Sequence, residues 1–247
     1  MRSVRVCALY PDLMNIYADR GNLLMLERRC AWRGIAFELA AAGIGAGIED
    51  GAHDIYYLGG GQDSDQRRCA EDLLERKAGG LRRAAAAGAI VLGVCGGYQL
   101  LGRSYALGDD TIEGVGLLDV ETIREDGPRL IGNVAIELTG AVSAAHEGMV
   151  LAGFENHGGR THLARDQAPL GRVLRGHGND GHSGYEGART GNVIGTYLHG
   201  PLLPKNSWFC DWLISTALGV DELEPLDDGL ELEAHRAARR AAGIAAY

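Results

Sequence analysis

The chain has 247 residues, 46% of them apolar and 23% charged, which is enough to build a sizeable core in one large domain or two small ones. A net charge of −9 argues against a general nucleic-acid binder, and no apolar run reaches the ~18 residues that cross a bilayer. The N-terminus lacks a signal-peptide core, and Cys7, Cys30, Cys69, Cys95 and Cys210 include no Cys-x-x-Cys pair. A cytoplasmic protein without a disulfide framework or a metal site is expected.

Val4 to Tyr10 alternates apolar and other residues and predicts a first strand. A polar loop spans Asn15 to Asn22, after which Leu23, Leu26 and Cys30 recur at helical spacing with Asn22 as the N-cap. Gly34 ends that helix, and Ile35 to Leu39 predicts a second strand. Gly43-Ile44-Gly45-Ala46-Gly47 lacks the Gly-x-Gly-x-x-Gly spacing and a following helix, so it reads as a flexible turn. Asp54 to Leu58 predicts a third strand that runs into Gly59-Gly60-Gly61-Gln62-Asp63. Glycines at the carboxyl end of a strand form a plain turn or let the backbone approach a ligand closely. Asp65 to Ala87 then reads as a long helix or helix pair, broken near Gly79-Gly80.

Ala89 to Val94 is a short apolar run of the kind buried on both faces of a parallel sheet, and helical spacing resumes at Tyr98 to Leu101. Between them Cys95 is flanked by Gly93, Gly96 and Gly97, the small residues that a sharp strand-to-helix turn requires. A thiol attacks as its thiolate, and the unpaired amides of a helix start favour that anion. The Gly96 amide would point at an oxyanion formed on an attacked carbonyl, where loss of one donor typically costs roughly 2.7–4 kcal/mol. The competing reading is a buried core cysteine at a strand end.

The alternation of strands and helices to this point implies a parallel sheet with helices on both faces and ligands at the carboxyl ends of its strands. Gly108 to Val120 is turn-rich, while Asn133 to Leu138 and Met149 to Phe154 predict strands of an antiparallel extension. Arg129 precedes the first of these strands. Glu155-Asn156-His157-Gly158-Gly159-Arg160 reads as a polar loop, with Asn156 and His157 as candidate cleft-lining residues. His157, His162, His177 and His182 follow no recognised metal-ligand spacing and are expected in loops. Val193 to Leu198 predicts a last strand that ends on His199-Gly200-Pro201. A histidine there would meet Cys95 across the strand ends, take its proton and later return it to a leaving group. A helix follows Pro204 to Asn206, burying Phe209, Trp212, Leu213 and Thr216, and residues 229–247 form a helical tail to a domain of residues 1–228.

Gly93-Val94-Cys95-Gly96-Gly97-Tyr98-Gln99 resembles the Gly-x-Cys-x-Gly-x-Gln elbow of class I (triad) glutamine amidotransferases. The resemblance implies a flavodoxin-like, three-layer α/β fold with a doubly wound, mostly parallel sheet. It further implies Cys95 as nucleophile on glutamine, His199 as base and acid, and Gly60 or Gly61 together with Gly96 as the oxyanion donors. Gln99 and Arg129 fall at its substrate-binding positions; a guanidinium fork suits a carboxylate. Most of that family carry a glutamate two residues after the histidine, where this chain has Pro201. Either another acid such as Glu155 serves, or a partner supplies the carboxylate.

His199-Gly200-Pro201 is similar to the cobyric-acid-synthase-like branch. Asn15-x-Tyr17-x-Asp19-x-Gly21-Asn22, Phe154-Glu155-Asn156-His157-Gly158-Gly159-Arg160 and Tyr197-Leu198-His199-Gly200-Pro201 resemble the glutaminase subunits of lipid II isoglutaminyl synthases. Such a subunit implies a heterodimer with a Mur-ligase-like partner that holds ATP, magnesium and the lipid II acceptor, with no cofactor in this chain and no membrane insertion of its own. A cobyric or cobyrinic acid amidotransferase subunit, or a non-catalytic regulatory subunit of the same fold, is the alternative. The chain itself has no Gly-x-x-x-x-Gly-Lys-[Ser/Thr] loop.

Overall fold

A computed structural model describes residues 2–16, 20–139, 146 and 148–245. The first half contains β1 (Ser3–Leu9), α1 (Arg20–Ala31), β2 (Ala36–Ala42), β3 (Ile55–Leu58), α2 (Asp63–Asp72), α3 (Ala78–Ala86), β4 (Ile90–Val94) and α4 (Gly96–Leu101). Then come β5 (Ser104–Leu107), β6 (Asp110–Glu113), β7 (Val120–Arg124), β8 (Leu130–Leu138), β9 (Val150–His157), β10 (Gly159–Leu163) and β11 (Gly171–Arg175). The chain closes with β12 (Tyr185–Glu186), β13 (Ala188–Thr190), β14 (Val193–Thr196), α5 (Leu202–Lys205), α6 (Ser207–Leu218) and α7 (Gly229–Ala241).

The central sheet runs β13-β14-β4-β3-β1-β2, parallel throughout except for β13 at one edge. Every residue of β3, β4 and β14 is buried, as expected of apolar runs covered on both faces. Helices α1 and α6 pack together against β1, β2 and β4, while α3 and α4 pack on β4 from the α2–α4 group. This is the predicted doubly wound α/β architecture.

The expected antiparallel extension takes the form of two four-stranded sheets. One is the antiparallel β12-β11-β8-β9, and the other, β10-β7-β5-β6, contains a parallel β5–β7 pair. Strands β5 and β6 fall in or beside the stretch expected to be turn. They are short, and only Tyr105 and Ile112 of their side chains are buried, so periodicity is faint there. The polar stretch 155–160 is not a loop either: β9 runs through His157 and β10 begins at Gly159.

Two helix boundaries also move. Asn22 lies inside α1, where its amide donates to the Tyr57 hydroxyl (2.9 Å) and its carbonyl oxygen accepts from the Leu203 amide (2.8 Å). The break in the long helix falls at a π-helical turn over Leu73–Lys77, and Gly79 and Gly80 stay helical. The wider turn brings the buried ammonium of Lys77 onto the carboxylate of Asp72. Tyr10 and the Gly45 amide donate to the same carboxylate. Burial opposes its ionisation, but these donors hold Asp72 below the usual carboxylate range.

The C-terminal part is pinned by Arg29, whose buried guanidinium pairs with Asp211 of α6 and Asp228 at the start of α7. Replacing Arg29 with Met leaves both carboxylates without their shared cation, so the unfolding free energy in urea should fall by about 3 kcal/mol. The exposed neighbour Arg28→Met should change it by less than about 0.5 kcal/mol. Equal effects of the two substitutions would contradict this account.

Candidate active site

Three adjacent strands set the position of the site. Register pairs Leu58 of β3 with Gly93 of β4, and Val94 of β4 with Thr196 of β14. The triple glycine, Cys95 and the segment leading to His199 therefore leave the sheet side by side at its carboxyl edge, where open α/β sheets bind ligands.

Cys95 has φ +53° and ψ −107°, a left-handed-side conformation that a non-glycine residue adopts only when its surroundings force it. Its amide donates to the Thr196 carbonyl (2.8 Å), and the Gly97 amide donates to the Gly59 carbonyl (3.0 Å). A Cβ on Gly97 would overlap the Leu58 carbonyl oxygen, and one on Gly93 would lie 2.8 Å from Gly97. The predicted need for glycine beside the cysteine is therefore a packing fact. A Cβ on Gly96 would lie 3.0 Å from the Gly61 amide nitrogen, so those two glycines face one another.

Cys95 lines a cleft of about 420 Å³ together with Gly61, Gln66, Gln99, Tyr105, Arg124, Arg129 and His157. The other four cysteines lie in the core, where burial pushes Cys7 up to about 11, Cys30 and Cys69 up to about 12, and Cys210 well above its ordinary value. Cys95 is the one cysteine on the cleft wall. Gly60 is not on that wall; its carbonyl accepts the Ile16 amide (3.2 Å).

Gln99 is buried beneath the cleft and donates to the Tyr197 hydroxyl (3.1 Å). Arg129 stands at the rim, its guanidinium donating to the side chain (2.8 Å) and backbone carbonyl (2.7 Å) of Asn156. These bonds fix a guanidinium on the cleft lining. Arg124 adds a second guanidinium, 3.4 Å from Asp63, which sequence reasoning missed. Its signal is the alternation Val120-Glu121-Thr122-Ile123-Arg124, directly after the turn-rich stretch.

His199 is fully buried and pairs through its backbone with Phe154 of β9 (N–H to O 2.7 Å). His157 is the histidine on the cleft wall: its ring stacks on Tyr197 at 3.6 Å, and Nδ1 contacts the Gly159 carbonyl (2.8 Å). Burial lowers its pKa, against the opposing pull of Glu155, whose carboxylate lies 3.8 Å from Nε2. Glu155 is fully buried and accepts the amides of His177 (2.6 Å) and Gly178 (2.9 Å), so its carboxylate is committed to that loop and to His157. His157 and His162 lie in strands β9 and β10, contrary to the loop expectation, while His177 and His182 lie in the turn after β11. Among the described residues no group of three or more His, Cys, Asp and Glu side chains is arranged to hold a metal ion. Tyr17 and Asp19 of the Asn15 motif lie outside the described residues.

A family model for the CobB/CobQ-like glutamine amidotransferase domain matches residues 5–207. The chain is 36% identical over 239 residues to the Staphylococcus aureus (strain N315) lipid II isoglutaminyl synthase (glutamine-hydrolyzing) subunit GatD, covering 95% of this chain and 94% of that one. It is 35% identical over 154 residues to a probable cobyric acid synthase of Methanothermobacter thermautotrophicus, covering 56% of this chain but 29% of that protein. Among solved structures, PurLQS from Thermotoga maritima superposes with a TM-score of 0.62 at 22% identity, covering 89% of this chain and 99% of that one. A glutamine amidotransferase, also from Thermotoga maritima, superposes with a TM-score of 0.55 at 18% identity, covering 97% and 94%. With the elbow, its glycines and the match over most of its length, this chain belongs to the CobB/CobQ-like glutamine amidotransferase family.

Proposed function

We propose that the chain is the glutamine-hydrolysing subunit of a lipid II isoglutaminyl synthase. The observation that carries this reading is Cys95, held at positive φ on the cleft wall, with its neighbour Gly96 packed against the Gly61 amide. The Cys95 sulfur attacks the side-chain carboxamide carbon of glutamine, and the resulting oxyanion is bound by the Gly96 and Gly61 amides. His199 takes the thiol proton and returns it to the departing nitrogen, which leaves as ammonia. Water then cleaves the γ-glutamyl thioester, releasing glutamate and regenerating the thiol. Arg129 binds the substrate carboxylate at the rim, and Gln99 lies behind the reacting group.

The ammonia passes to a Mur-ligase-like partner that activates the D-glutamate carboxylate of lipid II with ATP and magnesium, giving D-isoglutamine. The near-complete mutual coverage of the GatD relative supports this acceptor over a cobyric acid precursor. Among the described residues no helix is long and apolar enough to cross a membrane, which fits a subunit that reaches a lipid-linked acceptor through its partner at the cytoplasmic face.

The chain co-purified with its partner should be labelled at Cys95 by a glutamine-like diazoketone, and glutamine should protect it. Cys95→Ser should lower glutamine hydrolysis by at least about 10³-fold. Labelling elsewhere, or full activity of the variant, would refute the nucleophile. Arg129→Met should raise KM for glutamine about tenfold with a smaller change in kcat, since it removes binding common to ground and transition states. Glutamine-dependent amidation of lipid II, assayed against cobyric acid precursors, identifies the acceptor.

A further inference from the structure

Strand β14 ends at Thr196, three residues short of His199, so the amides between them need partners from outside the ladder. The Tyr197 amide donates to Oε1 of Glu186 (2.6 Å), and the Thr196 hydroxyl donates to Oε2 of the same carboxyl (3.0 Å). That hydroxyl also accepts the Leu198 amide (3.1 Å), and the His199 amide reaches the Phe154 carbonyl. One fully buried side chain from β12 thus takes the Tyr197 amide directly and, through the Thr196 hydroxyl it also binds, helps fix the Leu198 amide.

Other site residues converge on this segment. The Tyr197 hydroxyl accepts from Gln99 and shares a hydrogen bond with Thr161 (2.6 Å), while its ring carries His157 by stacking. Tyr98 of the elbow helix packs edge-on against the same ring at 5.2 Å. A shift of Tyr197 would therefore move Gln99 and His157 together, and the chain leading to His199 with them.

We propose that Glu186 is a positioning residue of the glutaminase site: its buried carboxyl holds residues 196–198 so that His199, Gln99 and His157 keep their places. The proposal rests on the glutamine-hydrolysis reading. The groups that bear on the carboxyl are Glu155 of β9, Tyr98 of α4, the Thr196 and Tyr197 donors and the Gly187 amide. Burial, reinforced by Glu155, raises the Glu186 carboxyl to about 8. A glutamine at this position keeps the acceptor oxygen for the Tyr197 amide, whereas a leucine fills the space and accepts nothing.

The experiment compares Glu186→Gln and Glu186→Leu in the complex with the partner, with Thr196→Val as a milder variant should the leucine chain not fold. At pH 7, Glu186→Gln should keep kcat for glutamine hydrolysis within about threefold, and Glu186→Leu should lower it at least about tenfold. Thr196→Val should lower kcat about fivefold, with KM nearly unchanged. The Tyr197 amide should exchange with deuterium about tenfold faster in the leucine variant than in the glutamine variant. Because the folded chain holds the Glu186 proton up to about pH 8 whereas an unfolded one releases it near 4.5, native stability falls across that interval. Glu186→Gln should remove that loss, so its Tm advantage over the native chain should grow from pH 5 to pH 8. A kcat unchanged in the leucine and Thr196→Val variants, or equal Tyr197 exchange in the glutamine and leucine variants, overturns the proposal. If the native complex hydrolyses no glutamine, the functional reading fails and the proposed role falls with it. The exchange measurement then shows separately whether Glu186 holds the segment.

Discussion

The hydrogen bond from the Cys95 amide to the Thr196 carbonyl joins the elbow to the strand that leads to His199. It is made just beyond the last paired residues of β4 and β14, so it extends the ladder by one bond into the site. On the other side, the Gly97 amide reaches Gly59 and fastens the elbow helix to the end of β3. Cys95 is thereby held from both neighbouring strands in a conformation that costs of order 1–3 kcal/mol in isolation. The sheet supplies that energy through β3, β4 and β14, all of whose side chains are buried.

The close contacts around the elbow show why this site tolerates little variation. Gly93 touches Gly97, Gly97 touches Leu58, and Gly195 of β14 lies under the ring of Tyr98. These absent side chains let three strands and a helix approach at backbone distance. The dense packing in turn brings Gly96, next to Cys95, against the Gly61 amide. Gln99 lies on the same short helix as the elbow and shares its rigidity.

The central sheet and the elbow were legible in the sequence because their signals are local. An apolar run of strand length, a flanking glycine and a helical restart all lie within a dozen residues of Cys95. What was hidden depends on partners far along the chain. Asn22 has the composition of a cap, but its bonds to Tyr57 and Leu203 draw it into the helix. The helix break at Leu73–Lys77 follows the pairing of Lys77 with Asp72, not the glycines that stand two residues later. The Glu155 carboxylate also accepts amides 22 and 23 residues away, contacts that no periodicity reveals. Strands β5 and β6 escaped because each buries one side chain, too few to set a pattern.

The proline after His199-Gly200 has consequences for how this branch of the family could change. Pro201 begins the turn into α5, and its ring packs so tightly on α1 that a Cβ on Gly21 would come within 2.6 Å of its Cγ. The space beside residue 201 is thus occupied by the first turn of α1, and two residues on the Asn22 side chain locks the adjoining Leu203 amide. The ring fills the space that a side chain at position 21 would need, so residue 21 can gain one only after the ring at 201 gives way.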